Sequence, residues 1–309
     1  MNTFESRKKS REFNEKLIKL ALISAATISI LTTFGILFSI LFEAIEFFKL
    51  RSFWYFLTGS TWTPGVIDSQ FGALPIFAGT FVITIIALGV AIPIGLGSAI
   101  YMSEYASSKL RDYLKPILEV LAGIPSVVYG FFAAITVAPL VVKAAAAIGL
   151  EATFNSALAS GIVMGVMIIP TISSLSDDVI RSVPDSQRKA SFGLGMTQAE
   201  TIKDIVLPTA LPGIISASIL ALSKALGETM VVVMAAGLRP NLSWNPLEDM
   251  TTVTVTIVNA LVGDFEFNSA ETLSAFALGL VLFVITLILN MISLSLIRKF
   301  KEKYKVNTL

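Results

Sequence analysis

An all-α, polytopic membrane protein with six transmembrane helices is the fold class this sequence predicts, on three observations. Of its 309 residues, 54% are hydrophobic and only 15% charged, against roughly 25% charged in ordinary soluble domains. That leaves too little polar surface to cover a water-soluble globule of this size. Six stretches free, or nearly free, of Asp, Glu, Lys and Arg are long enough to cross a bilayer, which takes about 20 apolar residues per helix. Lys and Arg are also distributed unevenly among the segments that join these stretches.

The first stretch, 20–42, follows a tail over 1–19 and exceeds the apolar core of a typical secretory signal. No small-residue cleavage site follows it, so it is expected to remain as an anchor. An external loop over 43–74 carries Trp54, Tyr55 and Trp62. Such aromatics suit the membrane–water interface, or a ledge for an external partner. The charge-free run 71–103 predicts a second helix over about 78–102. The runs 120–143 and 152–176 predict a third over 117–140 and a fourth over 155–175. The run 207–238, interrupted only by Lys224 and Glu228, predicts a fifth over 209–237; the sixth falls at 272–297, before a tail over 298–309. Residues 250–263 are apolar, Thr-rich and too short to cross, and read as an external re-entrant or surface segment.

With the N-terminus inside, the cytoplasmic segments carry Arg7, Lys8, Lys9, Arg11, Lys16 and Lys19, then Lys109, Arg111 and Lys115. Arg181, Arg188, Lys189 and Lys203 follow, and the last tail adds Arg298, Lys299, Lys301, Lys303 and Lys305. Those eighteen stand against four outside: Lys49, Arg51, Lys143 and Arg239. The excess predicts both termini in the cytoplasm.

Composition also excludes chemistry. The chain has no Cys and no His, which removes disulfides, thiolate metal sites, Cys nucleophiles and Ser-His-Asp triads, and disfavours zinc. A net charge of +1 gives no basic bias towards nucleic acid. No G-x-x-x-x-G-K-[ST] loop is present, so ATP hydrolysis by this chain is not expected. Neither a metal site nor a catalytic site is expected.

The loop 177–208 is too polar for lipid and too helix-friendly for a plain linker. Pro184, Asp185 and Ser186 read as a helix start, with a carboxylate at the positive helix end. Gly193 and Gly195 interrupt that helix. Thr197 and Glu200 form a capping box for a second short helix to Val206, which Pro208 is expected to stop. The result is two helices with a side-chain-poor elbow suited to a groove on another protein.

Here the residues resemble a family. Lys189, Ala190 and Ser191, then Gly195, then Ile205, Val206, Leu207 and Pro208 match the spacing of the EAA loop of ABC importer permeases. That pattern reads Glu-Ala-Ala, three residues, Gly, nine residues, Ile-x-Leu-Pro; Lys189 replaces its Glu and Ser191 its second Ala. The resemblance implies the type I ABC importer permease (MetI-like) fold, with residues 75–297 forming the transmembrane domain. It also implies that Lys189, Ala190, Ser191, Gly195, Ile205, Leu207 and Pro208 dock a cytoplasmic ATPase. The stretches 62–104, 123–132 (GIPSVVYGFF) and 224–231 (KALGETMV) are similar to the phosphate-permease branch, PstC. Met230 after Thr229 matches that branch better than its partner permease, PstA.

Within the fifth stretch, Lys224 and Glu228 stand four residues apart, one turn on a continuous helix, where they can pair. An ionisable group in the membrane costs about 2.5–3.5 kcal/mol on insertion scales, which points to function, although a structural ion pair is the alternative. Relatives resembling this branch carry Arg at position 224, a bidentate oxyanion grip where Lys offers a point charge. Gly123, Pro125, Pro93 and Gly95 either expose backbone groups to a passing ion or serve helix packing. Ser126, Tyr129 and Thr229 offer hydroxyl donors along the same path.

The resemblance implies a permease subunit in a bacterial or archaeal cytoplasmic membrane, forming part of a phosphate path. It implies a PstA-like permease, a PstB-like ATPase dimer using ATP and Mg²⁺, and a PstS-like external phosphate-binding protein. The chain itself is expected to bind no cofactor. A permease for sulfate, molybdate or phosphonate, and a membrane phosphate sensor that does not transport, remain open alternatives. An intramembrane enzyme ranks last, since no nucleophile–base pair is visible.

Overall fold

The computed structural model describes residues 2–65, 68–262, 266 and 268–303, with backbone alone for 2–13 and 300–303. Val66, Ile67, Gly263, Lys305 and the side chains of Arg7, Lys8, Lys9, Arg11, Lys301 and Lys303 therefore lie outside the described residues.

The described residues are mostly helical, with one small hairpin. Helix α1 (Asn2–Leu50) leads to a short α2 (Phe53–Thr58) and a hairpin of β1 (Trp62–Thr63) and β2 (Gln70–Phe71). Helix α3 (Leu74–Ile100) ends in a wide π-turn (Tyr101–Tyr105), and α4 (Ser108–Ala122) follows. Helices α5 (Ser126–Phe132) and α6 (Ala138–Ala147) are joined by a second π-turn; α7 is Ala157–Arg181 and α8 Asp185–Gly193. Helix α9 (Gln198–Thr201) runs through a third π-turn (Ile202–Val206) into α10 (Leu207–Leu226). Helices α11 (Met230–Ala235), α12 (Val253–Val262) and α13 (Ala270–Lys303) complete the order.

Among the described residues, six helical segments are long and apolar enough to span a membrane. They are Asn14–Leu50, Leu74–Tyr105, Ser126–Ala147, Ala157–Arg181, Gln198–Leu226 and Ala270–Lys299. The protein is thus a multi-pass membrane protein of the expected six helices, but several boundaries differ. The first helix continues to Leu50, and residues 53–58 are helical, so much of the expected loop 43–74 is not loop. The third span starts at Ser126, not near 117. Pro125 has no amide hydrogen and restricts the residue before it, so the amphipathic α4 ends at Gly123 and a new helix begins. The fifth span covers Gln198–Leu226 rather than 209–237. Pro208 does not stop it: the preceding π-turn widens the helix where the ring would clash, and the proline enters the first turn of α10. Gly227 ends it instead, and α11 is a separate piece. Within the segment 250–263 the structure has α12, ten residues long and too short to cross.

The core is the crossing of α3 and α7, which small residues bring close. A Cβ on Gly165 would lie 2.8 Å from the Ala87 carbonyl oxygen, and one on Gly95 2.9 Å from Ile172 Cβ. Without these side chains the backbones approach within direct van der Waals contact, the main source of helix association in lipid. Ile83, Ala87, Met164, Ile168 and Ile172 fill the seam.

A second cluster sits where α1 meets the hairpin. Phe47, Phe56, Trp62 and Phe71 pack edge to face, with ring centroids 5.3–6.4 Å apart. Such pairs add about 0.5–1.5 kcal/mol each beyond burial. Trp62 is therefore a core residue, not an interfacial anchor or a ledge. Trp54 and Tyr55 are exposed, and the Tyr55 hydroxyl donates to Gln70 Oε1 at 2.9 Å.

Candidate functional site

Two of the sequence-marked regions occupy opposite ends of one helix. The first is the elbow between α8 and α9. Asp185 stands in the first turn of α8, where its charge suits the helix dipole. The helix ends at Gly193, and Gly195 takes φ +84°, a left-handed conformation that strains any residue with a Cβ. Thr197 caps α9 with the full capping box: Glu200 N donates to Thr197 Oγ1, and Thr197 N donates to Glu200 Oε2 at 2.8 Å.

The expected docking residues divide in two. Lys189, Ala190 and Gly195 are exposed. Ser191 is buried, with its hydroxyl 2.7 Å from that of Thr201, so it ties α8 to α9. Ile205, Leu207 and Pro208 are half-buried, and Leu207 packs on the cluster of Ala99, Ile180 and Val206. These inner residues shape the elbow and do not form its outer face. Nor is the tip poor in side chains: Leu194 is 85% exposed and Phe192 49%. Sequence reading passed over both because it weighed the glycines beside them.

A largely buried ion pair fixes the elbow to the second span, and further pairs tie α4 to α7. Arg188 Nη2 lies 2.9 Å from Glu104 Oε1 at the end of the second span, and also donates to the Ile180 carbonyl at 3.0 Å. Arg111 on α4 grips Asp177 of α7, with Nη2 2.6 Å from Oδ2 and Nε 3.2 Å from the same oxygen. The Asp177 side chain is 0% exposed and Arg111 17%; the hydrogen bond to Asp177 raises the Arg111 pKa. Lys115 pairs with Asp178. None of these residues was picked out as a site. A signal was present: Asp177 and Asp178 fall in the last turns of α7, where the dipole disfavours carboxylates, so cationic partners were required.

The second region is the break after α10. Lys224 and Glu228 do not pair. Gly227 ends the helix between them, so they no longer share one face. Each charge meets a helix end instead. Lys224 occupies the last turn of α10, the negative end of its dipole. The Glu228 carboxylate accepts from the amides of Met230 at 3.0 Å and Val231 at 3.3 Å, both at Oε1, capping α11. Thr254 Oγ1 on α12 donates to the Glu228 carbonyl at 2.7 Å and pins the break.

Lys224, Ser126 and Thr229 are half-buried and have no side-chain hydrogen bond or ion pair among the described residues. Tyr129 is different: its hydroxyl donates to the Leu121 carbonyl at 3.0 Å, bridging the break at Gly123–Pro125 as a structural latch. Helices α5 and α11 pack directly, since a Cβ on Gly130 would lie 3.0 Å from the Met230 carbonyl oxygen. Ser126 and Thr229 thus stand at the starts of two helices that pack together. Pro93 and Gly95 lie inside an unbroken α3, with Gly95 serving the α7 contact.

One continuous helix joins the regions. From the Thr197 cap to Lys224 it rises about 40 Å at 1.5 Å per residue.

Residues 91–303 match the family described as binding-protein-dependent transport system inner membrane component. The chain is 36% identical over 251 residues to the probable ABC transporter permease protein YqgH of Bacillus subtilis, covering 81% of this chain and 78% of that one. It is 36% identical over 252 residues to the phosphate transport system permease protein PstC of Mesorhizobium japonicum, covering 76% and 75%. Among solved structures, a bacterial alginate ABC transporter in complex with a pentasaccharide-bound periplasmic protein has a similar fold. It gives a TM-score of 0.58 at 15% identity, over 88% of this chain and 92% of that one. The inward-facing MetNI methionine ABC transporter is also similar, with a TM-score of 0.53 at 17% identity over 74% and 94%.

Proposed function

The chain belongs to the family of binding-protein-dependent transport system inner membrane components, and from that premise we propose that it is the permease subunit of an ATP-driven importer of inorganic phosphate. The observation that carries the substrate is its 30–36% identity, over most of its length, to phosphate transport permeases from several bacteria.

The geometry supports a division of labour. The exposed elbow, with Leu194, Phe192, Lys189 and Ala190 around a left-handed Gly195, is the seat for a PstB-like cytoplasmic ATPase. That partner uses ATP and Mg²⁺. Its closure pushes on the elbow, and the long helix carries the movement to the break at Gly227. A rigid helix with a two-state end is a physical basis for such coupling. The Lys and Arg asymmetry supports an orientation with both termini in the cytoplasm.

Near the break, Lys224 supplies a positive charge, and Ser126 and Thr229 supply hydroxyls, all without a side-chain partner among the described residues. Phosphate at neutral pH keeps a P–OH group, whereas sulfate has none. A carboxylate such as Glu228 can accept from that proton and repels a fully ionised anion. This half-path is completed by a PstA-like permease, and a PstS-like external protein delivers the ion. The test is ATP hydrolysis by the purified four-part complex. Stimulation by phosphate-loaded binding protein, and none by sulfate, is expected; stimulation by sulfate alone would replace the substrate.

A further inference from the structure

Both arms of the elbow end on the same residue of another span. Arg188, on α8, binds the Glu104 side chain at 2.9 Å, and its guanidinium is also held by the carbonyls of Ile180 and Val183 and by Asp185. Gln198, the first residue of α9, donates from Nε2 to the Glu104 backbone carbonyl at 2.8 Å. Glu104 lies in the π-turn that closes the second span. The Arg188–Glu104 pair is only 15% and 10% exposed, so salt screens it little. A guanidinium with several fixed acceptors has little freedom to swing away.

We propose that Glu104 is a positioning residue for energy coupling: it clamps both helices of the elbow to the second span, so that elbow, α3 and α7 move as one body. By chain connection alone the elbow is joined to α7 and α10, and it reaches α3 only through the packing of α3 on those helices. With the clamp, ATPase closure displaces the α3–α7 block as well, and the deformation collects at the break after α10. This inference rests on the reading of the elbow as an ATPase seat.

The native chain has no cysteine, so a thiol pair can be placed at the clamp in a complex whose partner cysteines have been removed. The double variant Glu104→Cys with Arg188→Cys is reconstituted in proteoliposomes, and phosphate uptake per ATP hydrolysed is measured before and after a short bifunctional thiol cross-linker. Without the linker the ratio should fall about fivefold or more, the low end of measured coupling between sites, while hydrolysis persists. With the linker it should return towards the cysteine-free parent. A parent ratio without the linker, or loss of uptake on linking, overturns the clamp. Should the double variant fail to assemble, Gln198→Ala decides: a ratio lowered about twofold supports the clamp, and an unchanged ratio overturns it. If the parent itself shows no ATP-driven phosphate uptake, the underlying transport reading has failed, not the clamp.

Discussion

The two ends of the long α9–α10 helix solve the problem of charge in opposite ways. At the elbow and along the α7 segment that leads into it, the charged side chains that reach inward find partners: Arg188 on Glu104, Arg111 on Asp177, Glu200 in its capping box. At the break, Lys224 has no partner beyond the helix dipole among the described residues, and Glu228 spends its charge on two backbone amides. The first arrangement favours one geometry strongly. The second is held by a few interchangeable contacts and leaves donors open to a guest. On the function proposed above, the first region transmits force and the second takes up the ion.

The comparison is broken most readily by deleting a cation from each arrangement. Arg111→Ala should destabilise the protein by about 3–5 kcal/mol, because it strands the buried Asp177 carboxylate. Lys224→Ala should cost less than about 1 kcal/mol, since the lysine meets only the helix dipole among the described residues. Thermal unfolding in detergent checks both, and equal losses would erase the distinction.

Leu194→Asp comes next. An exposed apolar tip that anchors an interface contributes about 2 kcal/mol, so affinity for the ATPase should fall roughly thirtyfold with the permease fold intact. Titration of the ATPase onto immobilised permease reads this directly. Gly195→Val forces a branched side chain into φ +84°, a strain of about 1–3 kcal/mol. Uptake should drop about tenfold, as measured in vesicles; unaltered uptake would exclude the elbow from coupling.

The smallest effect concerns Glu228. Glu228→Gln keeps an acceptor oxygen for the Met230 and Val231 amides, so stability should change by no more than about 0.5 kcal/mol. Glu228→Ala loses the cap and should cost about 1 kcal/mol. If Glu228→Gln nevertheless lowers phosphate uptake, the charge serves the path as well as the cap.

Much of the elbow was legible in sequence because its signals are local. Asp185 after Pro184, the Thr197–Glu200 box and the glycine at 195 each act within four residues. The six spans were legible from length and charge. What escaped was either long-range or a competition between two local rules. Arg111 and Asp177 are 66 residues apart in sequence, and nothing near either names the other. Pro208 alone argues for a helix end, but a π-turn one residue earlier accommodates it. Lys224 and Glu228 were read as one turn of helix, and Gly227 between them won. Tyr129 reads as a free donor in sequence, but its hydroxyl donates to the Leu121 carbonyl across a break.

The measurement that bears most directly on the whole account is radiolabelled phosphate uptake into proteoliposomes holding the four-part complex, comparing wild type with Lys224→Ala. ATP-dependent uptake that Lys224→Ala lowers by about tenfold, with the complex still assembled, is the expected result. Uptake unchanged in Lys224→Ala, or no phosphate uptake by the wild type, would contradict it.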